Sequence, residues 1–170
     1  MAHLSTEDKK RFKEDGCLIV RGVLTPEQIR AAQNALWENI DADRDDPTTW
    51  VDASPRSPTP ATHPAIRATV HESPIFAMME EMVGKDQLNP SSAGPALRFP
   101  SKGPTWSLPE HGHLDGYYTP TNGVPEGTVG YMTINVTIYV EDIDAKGGCF
   151  IYWPGSHHVA YEYFKTHSLL

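Results

Sequence analysis

Thiols are nearly absent: Cys17 and Cys149 are the two cysteines of 170 residues. Such a pair builds neither a disulfide framework nor a zinc cluster, and it fits a reducing compartment. Both lie in apolar runs and read as buried structural thiols rather than nucleophiles. Positive charge is also short, with 14 Lys and Arg against 22 Asp and Glu and a net charge of -8. No basic stripe is available to neutralise a phosphate backbone, which argues against a nucleic-acid partner. No apolar run approaches the ~18 residues of a membrane span. The polar, acidic opening has neither the basic region nor the apolar stretch of a signal peptide. A cytoplasmic protein with no membrane partner is expected. Also missing are G-x-G-x-x-G, the P-loop, G-x-S-x-G and H-E-x-x-H, and with them the chemistries those motifs carry.

What is present is one domain's length of chain, 39% hydrophobic, with 15 Pro and 13 Gly to make turns. Ser5 to Asp8 has the S-x-x-D form of a capping box, so a helix is expected from Thr6 to a stop at Gly16. Thr25-Pro26-Glu27-Gln28 supplies a second N-cap, with Pro at the first helical position. That helix should run to about residue 39, with Ile29, Ala32, Leu36 and Ile40 on its apolar side. Ser73-Pro74 starts a third, with Ile75, Met78, Met79, Met82 and Val83 as its stripe and Gly84 as its end. Between them, residues 41–64 form a long loop, broken by five prolines and loaded with aspartate. Loops of that length are usually lids, binding loops or mobile segments.

After Gly84 the pattern turns to strands. Cys17-Leu18-Ile19-Val20 already reads as a short one, and Leu97-Arg98-Phe99 as another. Over residues 131–140, Met132, Ile134, Val136, Ile138 and Val140 alternate strictly with Tyr131, Thr133, Asn135, Thr137 and Tyr139. This predicts one strand with an apolar and a polar face. Cys149-Phe150-Ile151-Tyr152-Trp153 is the next, stopped by Pro154-Gly155. Helices followed by antiparallel strands give an α+β domain built on a sandwich or barrel.

The chemistry-bearing residues cluster late. In an extended segment, residues two apart share a face, so His113 and Asp115 project together, and His111 can join them. An imidazole nitrogen and a carboxylate oxygen so placed suit adjacent positions on one metal ion. With one more histidine they would make the two-His, one-carboxylate face that leaves positions open on non-haem Fe(II). Alone, an H-x-D triplet is as ordinary as a surface hydrogen-bonded pair. Pro154-Gly155-Ser156-His157-His158 is a second candidate, a turn that would put histidines at a strand end. The polar face at Thr133, Asn135 and Thr137 is a third. Trp50, Trp106, Tyr117, Tyr118 and Trp153 are candidate pocket aromatics.

Taken together, these segments resemble the phytanoyl-CoA dioxygenase family of Fe(II)- and 2-oxoglutarate-dependent oxygenases. The resemblance rests on the opening helix followed by Asp15-Gly16-Cys17-Leu18-Ile19-Val20, on His113-Leu114-Asp115, and on Gly147-Gly148 leading to Pro154-Gly155-Ser156-His157. It implies a double-stranded β-helix (a cupin-like jelly roll) with N-terminal flanking helices. It implies His113 and Asp115 as iron ligands, with Asn135 and Thr137 facing the cavity and helping to hold the 2-oxoglutarate cosubstrate. The implied reaction hydroxylates a C–H bond of a small-molecule substrate with O2 while 2-oxoglutarate is decarboxylated to succinate.

The pattern also departs from the family. There, a second metal histidine and an arginine for the cosubstrate's far carboxylate follow the P-G-S-H stretch, and the P-G-S-H histidine is not the iron ligand. Here no arginine follows Arg98, and beyond His158 only Lys165 and His167 are candidates. The expectation is that residues 1–170 form a single, incomplete oxygenase-like domain with the last core strands missing. The alternatives are a non-catalytic jelly-roll relative acting as a binding module, and zinc-assisted hydrolysis on His111, His113 and Asp115.

Overall fold

The computed structural model describes residues 2–89, 93–103, 106–108, 112–115, 125 and 134–167. Helix α1, Thr6–Asp15, begins at the expected capping box: Ser5 Oγ accepts from Asp8 N at 3.1 Å, and Asp8 Oδ2 accepts from Ser5 N at 3.0 Å. These bonds hold the Asp8 carboxyl below its ordinary pKa. Gly16 closes the helix in the left-handed region at φ 77°. Helix α2, Pro26–Trp37, repeats the device with Thr25 and Gln28 and ends slightly short of the expected residue 39.

Helix α3, Pro64–His71, was not expected from the proline-rich sequence around it. Pro64 opens this helix rather than ending a loop, and His63 Nδ1 accepts from Ala65 N at 3.2 Å as the cap. Helix α4, Ile75–Val83, forms where the methionine stripe predicts it; Ile75 is buried and the methionines half-buried. Helix α5, Ser156–Phe164, corrects another expectation. The histidines after Pro154-Gly155 open a helix, not the end of a strand.

The core lies between α2 and α3. Ala32 and Ala35 are 1% exposed and pack with Ile66, and Leu36, Ala65, Ala93 and Val140 surround them. Two alanines in succession on one face let the helices approach closely, so α3's Ile66 fills the space. The chain before α1 is fastened to α4: Glu81 accepts from His3 N at 2.6 Å and Leu4 N at 3.3 Å, and pairs with Lys9 at 3.0 Å. Those backbone donors, with Lys9, hold the Glu81 carboxyl down at about 2.

Residues 41–64 are tied down rather than free. They contain a 3-10 turn, Pro47–Trp50, and an isolated bridge joins their Pro55 to Ile40. Trp50 packs on Trp37 with centroids 5.5 Å apart, and the buried Thr59 donates to Ala35 O at 3.1 Å. Beyond the Ile40–Pro55 bridge no β-pairing occurs among the described residues. Cys17 to Val20, Leu97 to Phe99, residues 134–140 and Cys149 to Trp153, all expected as strands, pair with none of the described residues in a ladder; residues 131–133 fall outside the described set. Among the described residues no helix is long and apolar enough to cross a membrane.

Candidate metal centre

The side chains of His113 and Asp115 stand against each other. His113 Nε2 stands 3.2 Å from Asp115 Oδ1, and both side chains reach solvent. The second carboxylate oxygen has a different partner: Asn135 Nδ2 donates to Asp115 Oδ2 at 3.2 Å. Three of the four site residues read from the sequence therefore meet, although Asn135 is 20 positions away from Asp115. Thr137 is exposed on the same segment. His111 lies outside the described residues.

Each arm of the site is fastened to something else. The segment carrying Asn135 ends at Val140, whose carbonyl accepts from Gln33 Nε2 of α2 at 2.6 Å. Arg44 donates to Gln33 Oε1 at 2.8 Å and pairs with Glu141 at 3.6 Å, which closes a small network around that anchor. Tyr139 Oη accepts from Phe150 N at 2.8 Å, linking the segment to the Cys149–Trp153 run. On the other side, Trp153 lies against Gly112. A Cβ built on Gly112 would sit 2.7 Å from Trp153 Cζ3, so only glycine leaves room for the ring in this position. Sequence reasoning held Trp153 as one pocket aromatic among five and missed Gly112; the signal was the small residue directly before the metal-type histidine.

An open groove of about 610 Å³ is lined by Leu114, Trp153, Pro154, Val159, Tyr163 and Phe164; neither His113 nor Asp115 lines it. Other candidate aromatics are employed elsewhere. Trp50 packs on Trp37, and Trp106 lies under Lys146 Nζ at 5.2 Å from its ring centroid. Tyr117 and Tyr118 lie outside the described residues.

The remaining histidines have local tasks. His157 Nε2 lies 2.9 Å from Lys13 O, and its ring rests against Gly16. Gly155 N donates to Asp15 O at 2.9 Å. The Pro154-Gly155-Ser156-His157 turn is thus a clasp on the C-terminal end of α1. His167 stacks on Tyr163 with centroids 4.0 Å apart, and Lys165 pairs with Glu162 at 2.7 Å. Both are engaged at the end of their own helix. Among the described residues no three His, Cys, Asp or Glu side chains gather as a ready-made metal cluster. Burial raises the Cys17 thiol pKa, which disfavours a thiolate nucleophile there. Cys149, expected to be buried, is exposed, since its run has no strand neighbour among the described residues.

The donor set suits a hard-to-intermediate divalent ion. Two adjacent ligands on an octahedral ion at about 2.1 Å lie about 3 Å apart, close to the observed 3.2 Å between His113 Nε2 and Asp115 Oδ1. The sequence model of a family described as phytanoyl-CoA dioxygenase (PhyH) matches residues 12–167. No curated protein and no solved structure matches the chain.

Proposed function

The chain belongs to the phytanoyl-CoA dioxygenase family, whose activity is of the Fe(II)- and 2-oxoglutarate-dependent oxygenase type, and on that premise we propose that it takes part in hydroxylating a C–H bond of a small molecule. The proposed scaffold is the family's jelly roll, with α1 to α4 as flanking helices and the alternating pattern of residues 131–140 as one of its strands. The observation that carries the reading is the 3.2 Å separation of His113 Nε2 and Asp115 Oδ1. In this role neutral His113 offers its Nε2 lone pair and Asp115 a carboxylate oxygen, a pairing that suits Fe(II) and leaves other positions open. When bound, Fe(II) with 2-oxoglutarate and O2 supplies the oxidising chemistry, and 2-oxoglutarate leaves as succinate and carbon dioxide.

The chain's own residues do the rest. Asn135 and Thr137 bring polar groups to the segment beside the pair, which supports their part in holding the cosubstrate. The net charge of -8 supports a small-molecule rather than a nucleic-acid partner.

Succinate release, followed by NMR on the purified chain with Fe(II), 2-oxoglutarate and air, is the test. Release that needs both additions and is lost in His113→Ala and Asp115→Ala, with the helical circular dichroism unchanged, is the expected result. Fe(II) retention with no succinate would point instead to a non-catalytic relative. Turnover with zinc and no 2-oxoglutarate would point to hydrolysis. Failure to retain Fe(II) at all overturns the site.

A further inference from the structure

The two oxygens of Asp115 are not equivalent. Oδ1 faces His113 Nε2 at 3.2 Å, whereas Oδ2 accepts a hydrogen bond from Asn135 Nδ2 at 3.2 Å. A carboxylate can meet a metal through one oxygen or through both, and an amide donor on one oxygen competes with the second mode. We infer that Asn135 is a positioning residue that keeps Asp115 a one-oxygen metal ligand. The inference rests on the metal site proposed above, and it gives Asn135 a task beyond touching cosubstrate.

The coordination count shows why this matters. An octahedral ion has six positions, and His113 Nε2 with one oxygen of Asp115 would take two of them. A cosubstrate bound through two oxygens takes two more and leaves two. If Asp115 closed on the ion through both oxygens, one of those two would be gone. Holding Oδ2 away from the ion therefore keeps a place open. Outer partners of this kind commonly change metal affinity by about 10–100-fold when removed.

The C-terminal end of the segment that carries Asn135 is anchored. Gln33 Nε2 of α2 donates to Val140 O at 2.6 Å, and Tyr139 Oη accepts from Phe150 N at 2.8 Å.

Mn(II) is the probe, because it takes the same kind of site and is stable in air. Its affinity is measured by calorimetry for the full chain, Asp115→Ala, Asn135→Leu and Asn135→Ala. The infrared splitting between the two carboxylate stretches is recorded on loading. One-oxygen binding gives a wide splitting and two-oxygen binding a narrow one. The expected result is loss of Mn(II) binding in Asp115→Ala, with about a 10–100-fold affinity change and a narrowed splitting in both Asn135 variants. A merely structural part for Asn135 would not narrow the splitting. Mn(II) binding that needs Asp115, but with affinity and splitting unmoved in both Asn135 variants, overturns the inference and leaves the metal site standing. Mn(II) binding that does not need Asp115, or no binding by the parent chain, overturns the metal site and the inference with it. Asn135 is exposed, so its variants are expected to fold, and two replacements of different size guard against an effect of shape alone.

Discussion

The helical part of the molecule and the part that carries the site are built on opposite terms. All the buried residues among those described lie between Leu4 and Ile75, whereas most of the exposed large hydrophobics, Phe150 and Trp153 among them, lie from Trp106 onward. Helices satisfy their backbone hydrogen bonds within themselves and need only one apolar face covered. The site has no such local economy. His113, Asp115 and Asn135 lie on segments held by scattered long-range contacts: Gln33 to Val140, Tyr139 to Phe150, Trp153 to Gly112. The buried core thus belongs to the first region and the proposed chemistry to the second, joined through Gln33 and the clasp on α1.

That division can be broken from either side. The largest expected effect is in the core, where Ile66→Ala should cost about 2–5 kcal/mol, because Ile66 is the large residue between Ala32 and Ala35. Urea unfolding followed by circular dichroism checks it. A loss under about 1 kcal/mol would mean the helices draw their stability from elsewhere. From the side of the site, Gly112→Ala drives Trp153 off its seat. It should weaken Mn(II) binding by about tenfold while changing unfolding by under about 1 kcal/mol, since Trp153 is half exposed and can move. Adding Trp153→Ala should restore part of that affinity, a coupling that a double-mutant cycle measures.

The smallest effect sharpens the comparison through pH. Glu81 is held at about 2 in the folded chain against an ordinary 4.5. Its folded pKa is depressed, so its contribution to stability is fully present above about pH 4.5 and is lost as pH falls toward and through about 2. Urea midpoints over that range should fall less steeply in Glu81→Gln than in the parent chain. Equal slopes would mean that the contacts from His3, Leu4 and Lys9 do not set the acid limb.

What could be read from the sequence follows the same line. The caps at Ser5–Asp8 and Thr25–Gln28, the stop at Gly16 and the stripe of α4 are local signals, and the structure contains each. Helix α3 escaped because its proline was read as a breaker and its cap is a histidine, a residue whose capping depends on which ring nitrogen accepts. The pairing of His113 with Asp115 is a two-residue spacing and could be seen directly. The bond from Asn135 to Asp115 could not be, because nothing in either neighbourhood encodes a partner 20 residues away. The clasp shows the same limit: Pro154-Gly155 was legible as a turn, but its seat on α1 was not.

The clasp has a further consequence, for the order of assembly. His157 and Lys13 are 144 residues apart in sequence. Bringing such distant segments together carries a loop-closure cost that grows with the logarithm of the separation and cannot be offset before the intervening chain is compact. Isolated helices relax in about a microsecond, whereas contacts of long sequence separation slow folding by orders of magnitude. The α1 and α2 helices can therefore exist early, with the clasp closing last. Trp153 stands immediately before that clasp and rests on Gly112, next to His113. The pairing of His113 with Asp115 is accordingly among the final features to settle, and a refolding chain should regain its helical signal well before it regains the divalent-ion affinity proposed for that pair.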